Sequence, residues 1–322
     1  MLRDIIRGES TDILAAQRVI GHVNPDVILL MGIDYDHGGE TVRAFSNSLA
    51  AYGAEYSHTF TNLPNSGLQT GIDMNGDGRA GTARDAQGYG RYAGADGMAV
   101  LSRYPIGSVR DFSEMLWAEF PNADMPMTQG APFPSKEVQD IQRLSTTAHW
   151  DIQIKTPDGP LHLLAYSATP PVFDGPEDMN GKRNADETRF WIRYIDGDLA
   201  QEPPAAPFVI LGNANLDPHD GEGNREVIQE LLAHPRIQDP MPASEGGLEA
   251  VNTLHLGDAG LHTASWGENL PSNLRVDYVL PSVQLHVTDS GVFWPPTSSE
   301  LAGLLRGATT HHRLVWIDMK MP

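Results

Sequence analysis

The stretch "GIDMNGDGRAG" (residues 71–81) carries Asp73, Asn75 and Asp77 at alternate positions, followed at once by Gly78. Oxygen donors at the first, third and fifth positions of a loop, with glycine at the sixth for the sharp turn, are the opening half of a calcium loop. The carbonyl of Arg79 is the next ligand in that pattern. A complete helix-loop-helix site needs a Glu at position 84, where this chain has Arg, so the full motif is excluded and Asp85 is the acid placed to close the shell. The expectation is a bound Ca²⁺ at residues 73–79 that orders the surrounding loop and takes no part in catalysis.

Elements that must position such residues are legible along the whole chain. Short β-rich runs recur at "PDVILL" (25–30), "GMAVLS" (97–102), "HWDIQI" (149–154), "LHLLAY" (161–166), "FVILG" (208–212), "RVDYVL" (275–280) and "RLVWID" (313–318). Many are continuously apolar, as in strands covered on both faces. Between them, "TVRAFSNSLAAYG" sets Val42, Phe45, Leu49 and Tyr52 on one helical stripe ending at Gly53, and "NREVIQELLAH" starts at a capping Asn224. The first 22 residues read as an amphipathic helix capped by Ser10 or Thr11. The pattern is α/β. Loop-forming residues dominate 61–96, 120–136 and 170–187, and loops this long inside an α/β domain are more often functional than connective. Neither a repeat nor a linker-like shift in composition is present, so one domain over residues 1–322 is expected.

Composition narrows the function classes. A net charge of −20 with no Lys/Arg run gives no electrostatic footprint for long nucleic acid. The absence of Cys removes disulfides, thiolate metal sites and Cys nucleophiles. No apolar stretch is long enough for a membrane span. The start lacks the basic-then-apolar pattern of a secretory signal, so a cytoplasmic protein is expected if Met1 is the true start, and a periplasmic or secreted one if the natural chain begins earlier.

Taken in order, "PDVILLMGIDYD", "DAQGYGRYAGADGMAVLSRYPI", "LHLLAYSATPPVFDGPEDMNGKRNADE", "VILGNANLDPHDGEG", "LRVDYVLPS" and "HHRLVWID" resemble the endonuclease/exonuclease/phosphatase superfamily, and most of all its bacterial phosphatase-like and phytase-like branch. The resemblance implies a DNase I-like four-layer sandwich, two packed β-sheets flanked by helices, with a pocket where strand ends of both sheets meet. It also implies phosphoester cleavage with Mg²⁺ or Mn²⁺ on a small phosphorylated substrate. The implied motifs are a metal-holding Glu after the first run, a mid-chain His, a Gly-Asp-x-Asn block and a C-terminal Asp-His pair.

The chain departs from that set at four places: Gly32 stands for the Glu, Ser167 for the His, Asn213 for the Asp of the block, and His311 for the Asp of the pair. Asn215, Asp277 and His312 remain as catalytic candidates together with Asn213, while Arg183 and Asn184 of "KRNADE" are the expected phosphate contacts. Asp34, two residues beyond Gly32 in an extended segment, is the expected replacement metal ligand, since side chains two apart share a face. Combined with Asp36, His37, His311 and His312 it would make a mixed imidazole–carboxylate site, favouring Zn²⁺ or Mn²⁺. The resemblance further implies a strand before the first helix, and the sequence begins within that helix. Three function classes follow: a divergent, weak metal-dependent phosphoesterase; an inactive pseudoenzyme that binds a phosphate-containing ligand; and a calcium-stabilised scaffold.

Overall fold

The computed structural model describes residues 1–251, 254–267 and 272–322. The chain opens with two helices, α1 (Leu2–Arg7) and α2 (Thr11–Val23); Ser10 caps α2, its hydroxyl accepting from the Ile13 N–H. Strand β1 (Val27–Ile33) leads to α3 (Glu40–Leu49), whose buried stripe is Val42, Phe45 and Leu49; a single 3₁₀ turn then stops at Gly53. After β2 (His58–Phe60) the chain runs through a long irregular stretch to β3 (Gly97–Ser102) and β4 (Ile106–Asp111). The small hairpin β5 (Met127–Thr128) and β6 (Ala131–Pro132) precedes α4 (Lys136–Ile141) and the long hairpin β7 (His149–Thr156) and β8 (Gly159–Ser167). Helix α5 (Met179–Asp196), β9 (Phe208–Asn213), α6 (Arg225–Leu232) and α7 (Glu245–Glu249) follow. The end of the chain holds β10 (Ala264–Ser265), β11 (Asn273–Leu274), β12 (Asp277–Pro281), β13 (His286–Val292) and β14 (Val315–Lys320).

Two sheets stack between helices. One has the order β1-β3-β2, and the other β12-β9-β8-β7-β4, in which only β8 and β9 run parallel. The layering follows from the two-residue period of a strand. In β3, Met98 and Val100 face the other sheet while Ala99 and Leu101 face α2 and α3, where they meet Ile20, Val42, Phe45 and Leu49. In β8, Leu163 and Ala165 join Met98 and Val100 in the inter-sheet core, and Leu164 and Tyr166 turn to the outer side, packing with Phe190, Trp191 and Tyr194 of α5 and Ile228 and Leu231 of α6. These continuous apolar runs are therefore strands sandwiched on both faces, as their sequences imply. The architecture is α/β, packed sheets flanked by helices, with the central layers filled by side chains such as Trp150 and Leu164 that are wholly buried. Truncating such a leucine to alanine costs about 2–5 kcal/mol.

Among the described residues, strand β1 pairs only with β3, and β14 only with β13. Their unpaired edges flank a groove of about 1590 Å³, larger than the ~300–1,000 Å³ of ordinary ligand clefts. Val27, Leu29 and Met31 of β1 and Trp316, Asp318 and Lys320 of β14 line its sides, and Leu163, Val209, Leu211 and Val279 of the five-stranded sheet line its floor. The groove runs from the β7–β8 turn (Thr156–Asp158) to the end of β9 and start of β12, where Gly212, Asp277 and His312 line it. No helix among the described residues is long and apolar enough to cross a membrane.

Candidate functional site

Three neighbouring strand ends make the site. Asn213 closes β9, Ser167 stands beside it in the parallel register of β8, and Asp277 opens β12 directly opposite. Gly212 sets this convergence. Its φ is +139°, and a Cβ there would stand 1.8 Å from the Tyr166 carbonyl oxygen, so only glycine lets β9 approach β8 this closely before presenting Asn213. His312 arrives from the segment before β14, which is held by a bridge between His312 and Ala264 and by the Arg313 N–H donating to the Thr263 carbonyl at 2.7 Å.

His312 Nδ1 lies 2.8 Å from Asp277 Oδ2 and 3.3 Å from the Asn213 side-chain amide. The Thr263 hydroxyl donates to Asp277 Oδ2 at 3.0 Å while accepting the N–H groups of Val276 and Asp277, which fixes the carboxylate. Burial by itself pushes the His312 pKa down, but the neighbouring Asp277 carboxylate, through charge and hydrogen bond, wins and leaves it above the usual histidine value. With the proton on Nδ1 shared with Asp277, Nε2–H is the group left to face a bound ligand. Trp266 covers the pair, its ring 5.7 Å from His311 in stacked orientation and 5.9 Å from His312 edge-on.

Two oxygens here are buried without a hydrogen-bond partner among the described residues: Asp277 Oδ1 and Asn213 Oδ1. An unsatisfied buried carboxylate oxygen is costly and calls for a proton or a cation. Asn215 stands on the same strand end with a left-handed φ of +51°, its amide donating to the Ala168 carbonyl at 2.8 Å. Asn213, Asp277 and His312 are thus brought to one place, with Asn215 two residues past the end of β9, and Met31, next to Gly32, lines the same groove as Asp277 and His312.

Other expected site residues lie elsewhere. Arg183 is not a phosphate contact: it is buried, and its guanidinium donates to the backbone carbonyls of Gln87, Arg143, Leu144 and Ser145. Asn184 is fully buried too, donating to the carbonyls of Thr169 and Ala214, so it steadies the segments behind Asn213 and Asn215 rather than touching a ligand. Asp34 does not share a face with Gly32 in an unbroken strand. Gly32 has φ +75° at a β-bulge between Met31 and Ile33, which breaks the alternation. The Asp34 carboxylate instead lies 3.4 Å from the Met1 ammonium and interacts with Tyr92 and Asp96. Asp36 caps α3 through the N–H groups of Glu40 and Thr41, and His311 Nδ1 engages the Ser265 carbonyl. Among the described residues, Asp34, Asp36, His37, His311 and His312 form no common ligand cluster.

In the acidic loop, Asp73 Oδ1 accepts from the N–H groups of Asn75, Gly76 and Asp77, Oδ2 accepts from Gly78, and Asp77 accepts from the Arg79 N–H. The Asn75 Oδ1 is buried without a partner. Asp85 is turned to other work: its two oxygens take the N–H groups of Met74 and Thr82 and the Thr82 hydroxyl. Sequence reasoning missed Thr263 and Asp217. The latter is buried, accepts the N–H groups of His219, Asp220 and Arg275, and so shapes the turn that follows Asn215. The only signal for Asp217 was its place in the polar loop after β9; Thr263 had none.

The family model described as the endonuclease/exonuclease/phosphatase family matches residues 6–303. The chain belongs to that family. Enzymes of the family generally use divalent metals, and the two unpartnered oxygens of Asp277 and Asn213 are hard donors of the type that such ions take.

Solved structures agree on the fold. An endonuclease/exonuclease/phosphatase from Beutenbergia cavernae is 16% identical, with a TM-score of 0.57 over 96% of this chain and 66% of its own, so this chain spans just under two thirds of it. A family protein from Leptotrichia buccalis is 16% identical, with a TM-score of 0.53 over 98% and 94% of the two chains. A 3'-5' exonuclease from Neisseria meningitidis is 13% identical, with a TM-score of 0.50 over 96% and 95%. No curated protein matches the sequence.

Proposed function

We propose that this family member is a divergent, weak, metal-dependent hydrolase of small phosphoesters. The observation that carries the reading is the Asp277–His312 pair set in the groove beside two buried, unpartnered oxygens. Asp277 Oδ1 and Asn213 Oδ1 are the donors that would hold an Mg²⁺ or Mn²⁺ ion, which supplies Lewis-acid polarisation of a phosphoryl oxygen. Around a bound phosphoester, the imidazolium of His312 offers Nε2–H to the charge that builds as water attacks phosphorus and the bond to the leaving oxygen breaks, and it can pass its proton to that oxygen. Asp277 keeps the ring oriented and charged, and Thr263 keeps Asp277 in place. Asn215, on the same strand end, is the polar contact for a phosphate.

Weakness follows from the same residues. Asn213 gives an amide where a carboxylate would orient water, Ser167 cannot act as an acid, and Gly32 has no ligand to offer. The amide at Asn213 also favours a second reading, a pocket that binds a phosphate-containing ligand without turning it over. Hydrolysis of p-nitrophenyl phosphate and its bis-ester, with Mg²⁺ and with Mn²⁺, separates the two: slow turnover lost in His312→Ala supports the hydrolase, and phosphate binding without turnover supports the silent pocket. A Ca²⁺ ion at residues 73–79 belongs to the same reading, supported by the Asp73 carboxylate that already gathers four N–H groups of the loop and by the buried Asn75 oxygen. If so, chelation lowers the thermal midpoint and Ca²⁺ restores it.

A further inference from the structure

Beside the candidate site, the ring of one buried histidine finds no hydrogen-bond partner among the described residues. His262 is 1% exposed, and neither of its ring nitrogens has a hydrogen-bond partner. A neutral imidazole carries one donor and one acceptor, and leaving both buried and unpaired is costly. What faces it is ligand chemistry. One ligand atom each of Asp220, His255 and His262 lies within 4.8 Å of the others, and the two rings meet edge-on with centroids 5.5 Å apart. The Asp220 carboxylate is itself pinned by the N–H groups of Leu256 and Gly257, so the loop after β9 and the segment bearing both histidines are already tied together at this point.

We propose that Asp220, His255 and His262 form a second metal site, one for a transition ion of the Zn²⁺ class. Two imidazoles and one carboxylate suit zinc, which binds such ligands at about 2.0–2.2 Å, and three protein ligands leave a position for water. Bonds of that length draw the three side chains slightly closer than they stand. Mg²⁺ and Ca²⁺, which take oxygen ligands, are poor occupants.

The site has a structural consequence for its neighbour. His262 precedes Thr263, whose hydroxyl fixes Asp277 against His312. An ion here would anchor that segment from behind, at a point separate from the oxygens of Asp277 and Asn213.

The test reads metal rather than turnover, so it stands or falls apart from the phosphoester reading. Purified wild-type protein is equilibrated with Zn²⁺, dialysed and measured by elemental analysis, alongside His255→Ala, Asp220→Asn, His262→Ala and His312→Ala. The expected result is about one zinc per chain in wild type and in His312→Ala, with a thermal midpoint raised by Zn²⁺ and not by Mg²⁺. Affinity should fall by more than the ~10–100-fold typical of outer-sphere changes in His255→Ala and Asp220→Asn. His255 is only partly buried, so its variant should fold even if His262→Ala does not. Zinc content unchanged in His255→Ala and Asp220→Asn, absent from wild type, or lost in His312→Ala overturns the proposal.

Discussion

Asp277 governs the charge of His312. Because the folded pKa of His312 is raised above its ordinary 6.5, the charged pair contributes stability that is fully present below about pH 6.5 and is lost as pH rises through the folded value. In an NMR titration, Asp277→Asn should bring the His312 pKa down and flatten that part of the stability profile; an unchanged His312 titration would show that the contact does not set its charge. Thr263→Val should shift it less, since the carboxylate remains. The four departures at Gly32, Ser167, Asn213 and His311 form a second residue-scale test. Restoring Glu, His, Asp and Asp together should raise Mg²⁺-dependent turnover by at least the ~10²–10³-fold that a single transition-state donor is worth. Open space surrounds Gly32, so a Glu fits there, but its φ of +75° makes the side chain cost about 1–2 kcal/mol. Robust turnover by the unmodified chain, with no gain on restoration, would sink the view that these positions limit the rate.

Helix α5 shows how an element can look like a site and act as a frame. Its Arg183, Asp186 and Glu187 are buried and each is spent on backbone or neighbouring groups: Asp186 takes the Trp117 indole N–H and the Asp124 N–H, and Glu187 takes the N–H groups of Thr146 and Thr169. Burial raises the Glu187 pKa to about 7, against the pull of Arg183 and its hydrogen bonds. A folded carboxylate pKa above the unfolded 4.5 means that the native state holds the extra proton, so this group lowers stability as pH climbs from about 4.5 to 7. Arg183→Met would leave Glu187 without its cation and the Gln87, Arg143 and Leu144 carbonyls without their side-chain donor, while Ser145 keeps the Asn65 amide. The expected loss is about 3–5 kcal/mol, read as a lower denaturation midpoint, while phosphate affinity of the folded fraction stays the same. A fall in phosphate affinity with unchanged stability would return Arg183 to the site.

Over the whole molecule, charge and shape act together. A net charge of −20 repels polyanions at long range, while the groove between the β1 and β14 edges admits something small or extended. Duplex DNA at ~0.1 M salt, where screening reaches ~10 Å, should give no change in fluorescence anisotropy with this protein. Binding that weakens steeply with salt, as counterion release demands, would contradict the choice of small substrates.

Local structure was written in the sequence because it is decided within a few residues. Two-residue alternation turned β3, β8 and β9 into double-faced strands, Ser10 and Asn224 capped their helices, and Gly53 ended the turn after α3. The stretch 170–187, read as loop from its polar residues, enters helix α5 at Met179, because its carboxylates and guanidinium find partners inside the protein that the sequence does not display. Gly32 likewise looked like part of an extended segment, and only pairing with β3 exposed the bulge that turns Asp34 away. What the fold alone decided is which side chains meet. Asn213 and His312 stand 99 residues apart, Asp277 and His312 35, and Asp220 reaches Leu256 across 36. Closing such distances depends on how two sheets stack and where a strand ends, and no local pattern of apolar and polar residues carries that information.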